Sequence, residues 1–181
     1  MPALYTNLGN TDVTIQTQAE GSGDGDIFVT DAVGWNANTT LTLNAYRNIN
    51  INRQMDGGSA GKLALEYGQG AVADGNTATY NVNAPVNLAA GDNFSTKLGS
   101  NGMPITYTVI TSVGEASHAT ASGNNTLQGM AHADNLAKSY ALGADIDANS
   151  TSGWEGGKGF APIGANANSF SGNFDGLGHK I

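Results

Sequence analysis

Asp145, Asp147, Asn149 and Thr151 offer side-chain oxygens at every second position, the spacing with which a calcium-binding loop presents its first donors to a hard cation. The pattern departs from such a loop at Ser150, where glycine makes the sharp turn, and at Gly156, where a bidentate glutamate closes the cage; Glu155 falls one residue early. The same alternation suits a strand edge running into a turn, which is the plainer expectation, with Asp145, Asp147 and Asn149 as the candidate calcium ligands. Upstream, Gly21-Ser22-Gly23-Asp24-Gly25-Asp26 contains one Gly-x-Gly-x-Asp element. That element completes an oxygen cage only when copies stack, so a single copy reads as a turn.

Acid–base chemistry would need carboxylates grouped with a base or a cation. Asp145, Asp147, Glu155, Asp175 and His179 share the C-terminal region, while Arg47 and Arg53 lie far upstream. No two carboxylates recur on one inferred strand face beside a Lys or Arg, so a solvated surface is their expected role and no catalytic residue is assigned. His118, His132 and His179 lack metal-ligand spacing. No Gly-Lys-Ser/Thr phosphate loop occurs. Trp35 and Trp154 are the candidates for stacking on a sugar ring, against the expectation that each packs over a corner of the fold. Asn38, Asn93, Asn124 and Asn149 stand in Asn-x-Ser/Thr triplets, but in so Asn- and Thr-rich a chain such triplets arise by chance.

Composition narrows the partners. The 181 residues carry 15 acidic and 7 basic side chains, a net charge of −8, with no basic cluster. A nucleic-acid backbone or an anionic membrane surface would be repelled. Only 12% of residues are charged and 39% are apolar, so the chain is not of the charged, disordered class. Without Cys there is no disulfide, zinc–thiolate site or thiol nucleophile. No run is long and apolar enough to span a membrane, and Met1-Pro2-Ala3-Leu4-Tyr5 has no signal-peptide character. Gly178-His179-Lys180-Ile181 reads as mid-strand, so the expectation is a piece of a longer chain.

The elements that must position these residues are short strands. Val13-Thr14-Ile15, Ile27-Phe28-Val29, Leu41-Thr42-Leu43, Ile49-Asn50-Ile51 and Leu63-Ala64-Leu65 each put two apolar side chains on one face. Ile27 precedes Ile49, and Leu41 precedes Leu63, by the same 22 residues. A strand-rich repeat of that length predicts parallel rungs with Ile27 beside Ile49 and Leu41 beside Leu63, and with Thr14, Thr42, Asn44, Asn50 and Asn52 in outward ladders. The fold class expected is all-β, a right-handed parallel β-helix, in preference to an antiparallel sandwich. Leu127, Met130, Ala131 and Leu136 predict one short helix near 126–138. The expected division is shaft coils over 1–112, a loop and short helix over 113–139, and a glycine-rich β region over 140–181.

These blocks resemble the shaft of bacterial two-partner-secretion exoproteins of the filamentous-haemagglutinin and high-molecular-weight-adhesin type. The tail, Phe170-Ser171-Gly172-Asn173-Phe174-Asp175-Gly176-Leu177-Gly178-His179-Lys180-Ile181, is similar to the GLUG motif of such adhesins. The resemblance implies a non-catalytic segment at the bacterial cell surface or secreted, exported through an outer-membrane transporter partner and not membrane-inserted. Its partner would be a host-cell or surface glycan or protein ligand. A carbohydrate-active lyase or hydrolase, or a haem- or ligand-capture module, are the alternatives.

Overall fold

The computed structural model describes residues 2–18, 23–123, 125–164 and 168–181. A short helix, α1 (Pro2–Leu8), opens the chain. Nine strands follow in quick succession: β1 (Val13–Gln16), β2 (Ile27–Val29), β3 (Val33–Gly34), β4 (Thr40–Asn44), β5 (Ile49–Ile51), β6 (Met55–Asp56), β7 (Lys62–Tyr67), β8 (Tyr80–Val82) and β9 (Val86–Asn87). Then come β10 (Gly91–Leu98), β11 (Ile105–Ile110), β12 (Tyr140–Leu142) and β13 (Phe174–Asp175). One sheet has the order β1-β4-β7-β10-β11-β12-β13; two smaller ones have the orders β2-β5-β8 and β3-β6-β9.

The alternation read from the sequence explains β2, β4, β5 and β7. Leu41, Leu43, Leu63 and Leu65 from the large sheet, Ile27, Val29, Ile49 and Ile51 from the second, and Val33, Met55 and Val86 from the third enter one buried cluster. Burying each of these side chains contributes about 1.5–3 kcal/mol. Ile27 lies in register with Ile49, and Leu41 with Leu63, on parallel strands, as their spacing predicts. Outside the core, the Asn81 amide donates to Asn50 Oδ1 (3.0 Å) and the Asn83 amide to Asn52 Oδ1 (2.9 Å), so two of the expected outward ladders form. Helix α1 is too short to be stable alone. It is held because Leu8 is fully buried, the Tyr5 hydroxyl donates to the Ala32 carbonyl (2.8 Å), and the Thr39 hydroxyl donates to the Leu8 carbonyl.

The expected all-β right-handed parallel β-helix is corrected. The architecture is mixed α/β: a seven-stranded sheet, mostly parallel but reversed at one pair, plus two small parallel sheets and few helices. The 22-residue step holds between β4 and β7 and between β2 and β5, then lengthens to 31 between β5 and β8 as the 69–79 segment intervenes. Next the chain reverses through Ser100, Asn101 and Gly102, and β11 runs antiparallel to β10. The short helix expected near 126–138 is likewise replaced by two 3-10 turns, Gln128–Ala131 and Ala133–Asn135. Gly129 and the local hydrogen bonding of Asn135, whose side-chain amide donates to the Gly129 carbonyl (2.8 Å), divide that segment.

Strand β12 and the C-terminal end of β11 are covered on both faces. Val109 and Ala141 point into the first cluster, whereas Ile110, Tyr140 and Leu142 pack with Leu127, Met130 and Ile146 in a second. Burial on two faces is why Tyr140-Ala141-Leu142 shows no polar alternation. Among the described residues no helix is long and apolar enough to cross a membrane.

Candidate functional site

The C-terminal motif turns out to be a closure. Asp175 Oδ1 accepts from the Leu177 amide (2.8 Å), bending the chain so that Leu177, at φ 46°, enters the main core with 1% exposure. Gly178 then passes against the backbone of Ala84 and Pro85, an approach with φ 82° that suits glycine. The Tyr80 hydroxyl donates to the other Asp175 oxygen (2.6 Å). Burial, and secondarily that bond, push the Tyr80 phenol well above its usual range.

His179 and Asp145 meet beside a hollow of about 410 Å³ lined by Gln54, Pro85 and Asn87. His179 Nδ1 lies 3.1 Å from Asp145 Oδ1 and Nε2 lies 3.0 Å from the Val86 carbonyl oxygen. A carbonyl only accepts, so Nε2 carries a proton. Asp145 Oδ1 also accepts from the Lys180 amide (3.0 Å). The imidazole thus fastens the tail to β9. The Lys180 amide first, and the His179 ring second, hold the Asp145 carboxyl below the usual carboxylate range. A depressed carboxylate stabilises the fold above about pH 4 and loses that contribution as the pH falls through its folded value. Asp145→Asn is accordingly expected to melt lower than the parent near neutrality, with the difference closing below about pH 4. Thermal melts of both chains across that range check this; a gap independent of pH would contradict it.

The other sequence candidates are separated by the fold. Asp147 Oδ1 accepts from the Asn149 amide (2.9 Å), a turn of its own, while Asp145 faces the tail. Asp145 and Asp147 thus each hold a different backbone amide, and the described residues contain no group of three or more His or acidic side chains placed for a metal. In the Gly/Asp element, Arg47 bridges Asp24 (2.7 Å) and Asp26 (2.8 Å), and its hydrogen bond holds the Asp26 carboxyl low. Gly21 and Ser22 of that element, and Asn124, lie outside the described residues. Trp35 is corrected as a stacking candidate: it is 7% exposed, covers Gly61, and its indole donates to the Thr39 carbonyl (3.2 Å). Trp154 is half-buried with Phe160 stacked beside it at 6.4 Å, so part of its ring is occupied.

The larger concavity lies on the outer face of the seven-stranded sheet, where no sequence candidate was placed. One hollow of about 530 Å³ is lined by Asp92, Thr106, Thr108, Asn125, Lys138 and Ser139. A second, of about 160 Å³, is lined by Thr40, Lys62, Asn93 and Ser95 and shares Asp92 and Thr106 with the first. Together they make one groove across β7, β10 and β11, ending at the segment before β12. The outward positions of these strands supply it: core residues Leu63, Phe94 and Tyr107 alternate with Lys62, Asn93, Ser95, Thr106 and Thr108. The register shift between Gly91 and Phe94 is a bulge that presents Asp92, whose Oδ1 accepts from the Thr108 hydroxyl (3.0 Å). Its floor is hydroxyl and amide, with a single carboxylate among the lining residues. That set can exchange hydrogen bonds with a polyhydroxylated ligand but lacks a second carboxyl for acid–base cleavage of a glycosidic bond. The signal in the sequence was the run Thr106-Tyr107-Thr108, whose partner strands could not be known before the hairpin was seen.

No protein-family model matches the chain, and no solved structure matches it either. A stretch of 55 residues is 47% identical to Halomucin of Haloquadratum walsbyi. The match spans 28% of this chain and 1% of the length of that protein, so it is a local similarity.

Proposed function

We propose that this chain is a non-catalytic, ligand-presenting segment of a secreted or cell-surface protein of the adhesin type. The observation that carries the proposal is a division of labour among polar groups. The histidine and aspartates of the C-terminal region are engaged in bracing the chain: His179 to Val86, Asp145 to Lys180, Asp175 to Leu177. The hollow on the outer sheet face is instead lined mainly by hydroxyls and amides, with Asp92 and Lys138 among them. A surface or secreted setting is in keeping with the local similarity to Halomucin, a mucin by name. A glycoside hydrolase would place a second carboxyl beside Asp92, and none lines the groove.

The test pairs a glycan array and cell-binding assay of the intact chain with an assay for new reducing ends or unsaturated products on the polysaccharides bound. Retention of a glycan or cell surface without product formation is expected. Turnover of any bound polysaccharide would overturn the non-catalytic assignment, and the absence of all binding would reduce the segment to a spacer.

A further inference from the structure

We infer that the groove on the outer face of the large sheet takes an acidic glycan, with Lys62 and Lys138 receiving its carboxylate or sulfate groups. The inference rests on the ligand-presenting reading above and adds the charge class and the contact residues. The chain is strongly acidic, and among the described residues Arg47 is the one Lys or Arg held in an ion pair. Of the unpaired cations, two converge on this single groove. Lys62 enters it from β7, and Lys138 from the segment leading into β12. The Lys138 ammonium touches only a neutral partner, Asn135 Oδ1 at 2.8 Å. In sheet order β7, β10, β11 and β12 are consecutive, so the two lysines stand about three strand spacings apart, roughly 14 Å. That span matches a short oligosaccharide lying across the strands, not a single small anion.

Between the lysines the groove presents hydroxyls of Ser95, Thr106 and Thr108 and the Asn93 and Asn125 amides, able to donate to and accept from ring hydroxyls. Asp92 sits between the cations, tied by its bond to Thr108, and can accept only from a donor such as a sugar hydroxyl. An acidic glycan carries neutral ring hydroxyls beside its charged groups, and the groove has the matching lining of hydroxyls and amides between two lysines.

The experiment is calorimetric titration of the intact chain with oligogalacturonate, its methyl ester and a κ-carrageenan oligosaccharide. These probes supply carboxylate, the same backbone without charge, and sulfate. Lys62→Gln and Lys138→Gln are each expected to weaken the acidic probe roughly five- to tenfold, and raised salt to weaken it further. Lys158→Gln makes the same charge change outside the lining and should bind as the parent does. Melting curves establish that each variant is folded. Binding of the acidic oligosaccharide that is weakened in the ester and, by about that factor, in both groove variants supports the inference, and the probe that binds tells carboxylate from sulfate. Equal binding of the ester, or unchanged binding by Lys62→Gln and Lys138→Gln, overturns it and leaves the ligand-presenting role standing. Failure of every glycan, acidic and neutral, together with failure to retain cells, overturns both.

Discussion

Leu43→Asp is expected to abolish folding. Leu43 is 1% exposed and lies in register between Ile15 and Leu65 on parallel strands, with the side chains of all three sheets closing around it. An ionised carboxylate there has no partner, and its burial costs more than about 4 kcal/mol, a large part of the 5–15 kcal/mol or so by which domains are stable. The aspartate would also interrupt an apolar column that continues on both sides, so relaxation toward solvent would open the core. Loss of the far-ultraviolet strand signal and of the cooperative melt is the expected result. A Leu43→Asp chain with the parent's melting temperature would mean that the inward face has been assigned to the wrong residues.

The second large effect concerns space instead of charge. Gly143 stands at the turn after β12, where its amide donates to the Ile110 carbonyl (2.9 Å) and its carbonyl accepts from the Leu88 amide (3.2 Å). An added Cβ would overlap the Leu88 carbonyl oxygen and crowd the Val109 side chain. Because the first obstacle is backbone, no rotamer change removes the overlap. Gly143→Ala must push β9 away from the β11–β12 pair, losing hydrogen bonds on both sides, at an expected cost of about 2–3 kcal/mol. Denaturant unfolding should show a lower midpoint with an unchanged slope. Gly75, where an added Cβ meets nothing, is the control, although its φ of 73° makes even that substitution mildly unfavourable.

What the sequence could disclose follows from the range of each interaction. Alternation is local, so the inward and outward residues of β2, β4, β5 and β7 were readable directly. Their register was readable because Ile27 and Ile49, and Leu41 and Leu63, are related by equal spacing and similar side chains. Tyr80 and Val82 continue the column of Ile49 and Ile51, but after a longer step, and the intervening 69–79 segment hides them. The reversal at Ser100-Asn101-Gly102 carried a turn signal in Asn-Gly, yet nothing local distinguishes a hairpin from another parallel return. Helix α1 was missed because its stability resides in Leu8 and in the Tyr5 bond to Ala32, contacts remote in sequence.

The site was less legible than the fold. Asp145, Asp147 and Asn149 drew attention by their spacing, but Asp145 is occupied by a tail residue more than thirty positions later. Trp35 drew attention by type, and its burial depends on Gly61, which no pattern near Trp35 discloses. The groove residues carry no motif at all. Lys62, Asp92, Thr106 and Lys138 are ordinary surface residues until antiparallel pairing of β10 with β11, and parallel pairing of β11 with β12, set them along one hollow. Chemistry built from common residues by long-range pairing leaves no local trace.

Amide and methyl chemical shifts of the intact, isotope-labelled chain, followed during titration with oligogalacturonate, locate the surface that takes the ligand. Saturable changes confined to Lys62, Asp92, Asn93, Thr106, Thr108 and Lys138 are predicted. Changes centred instead on Asp145 and His179, or a spectrum that stays unaltered through the titration, would contradict the groove assignment.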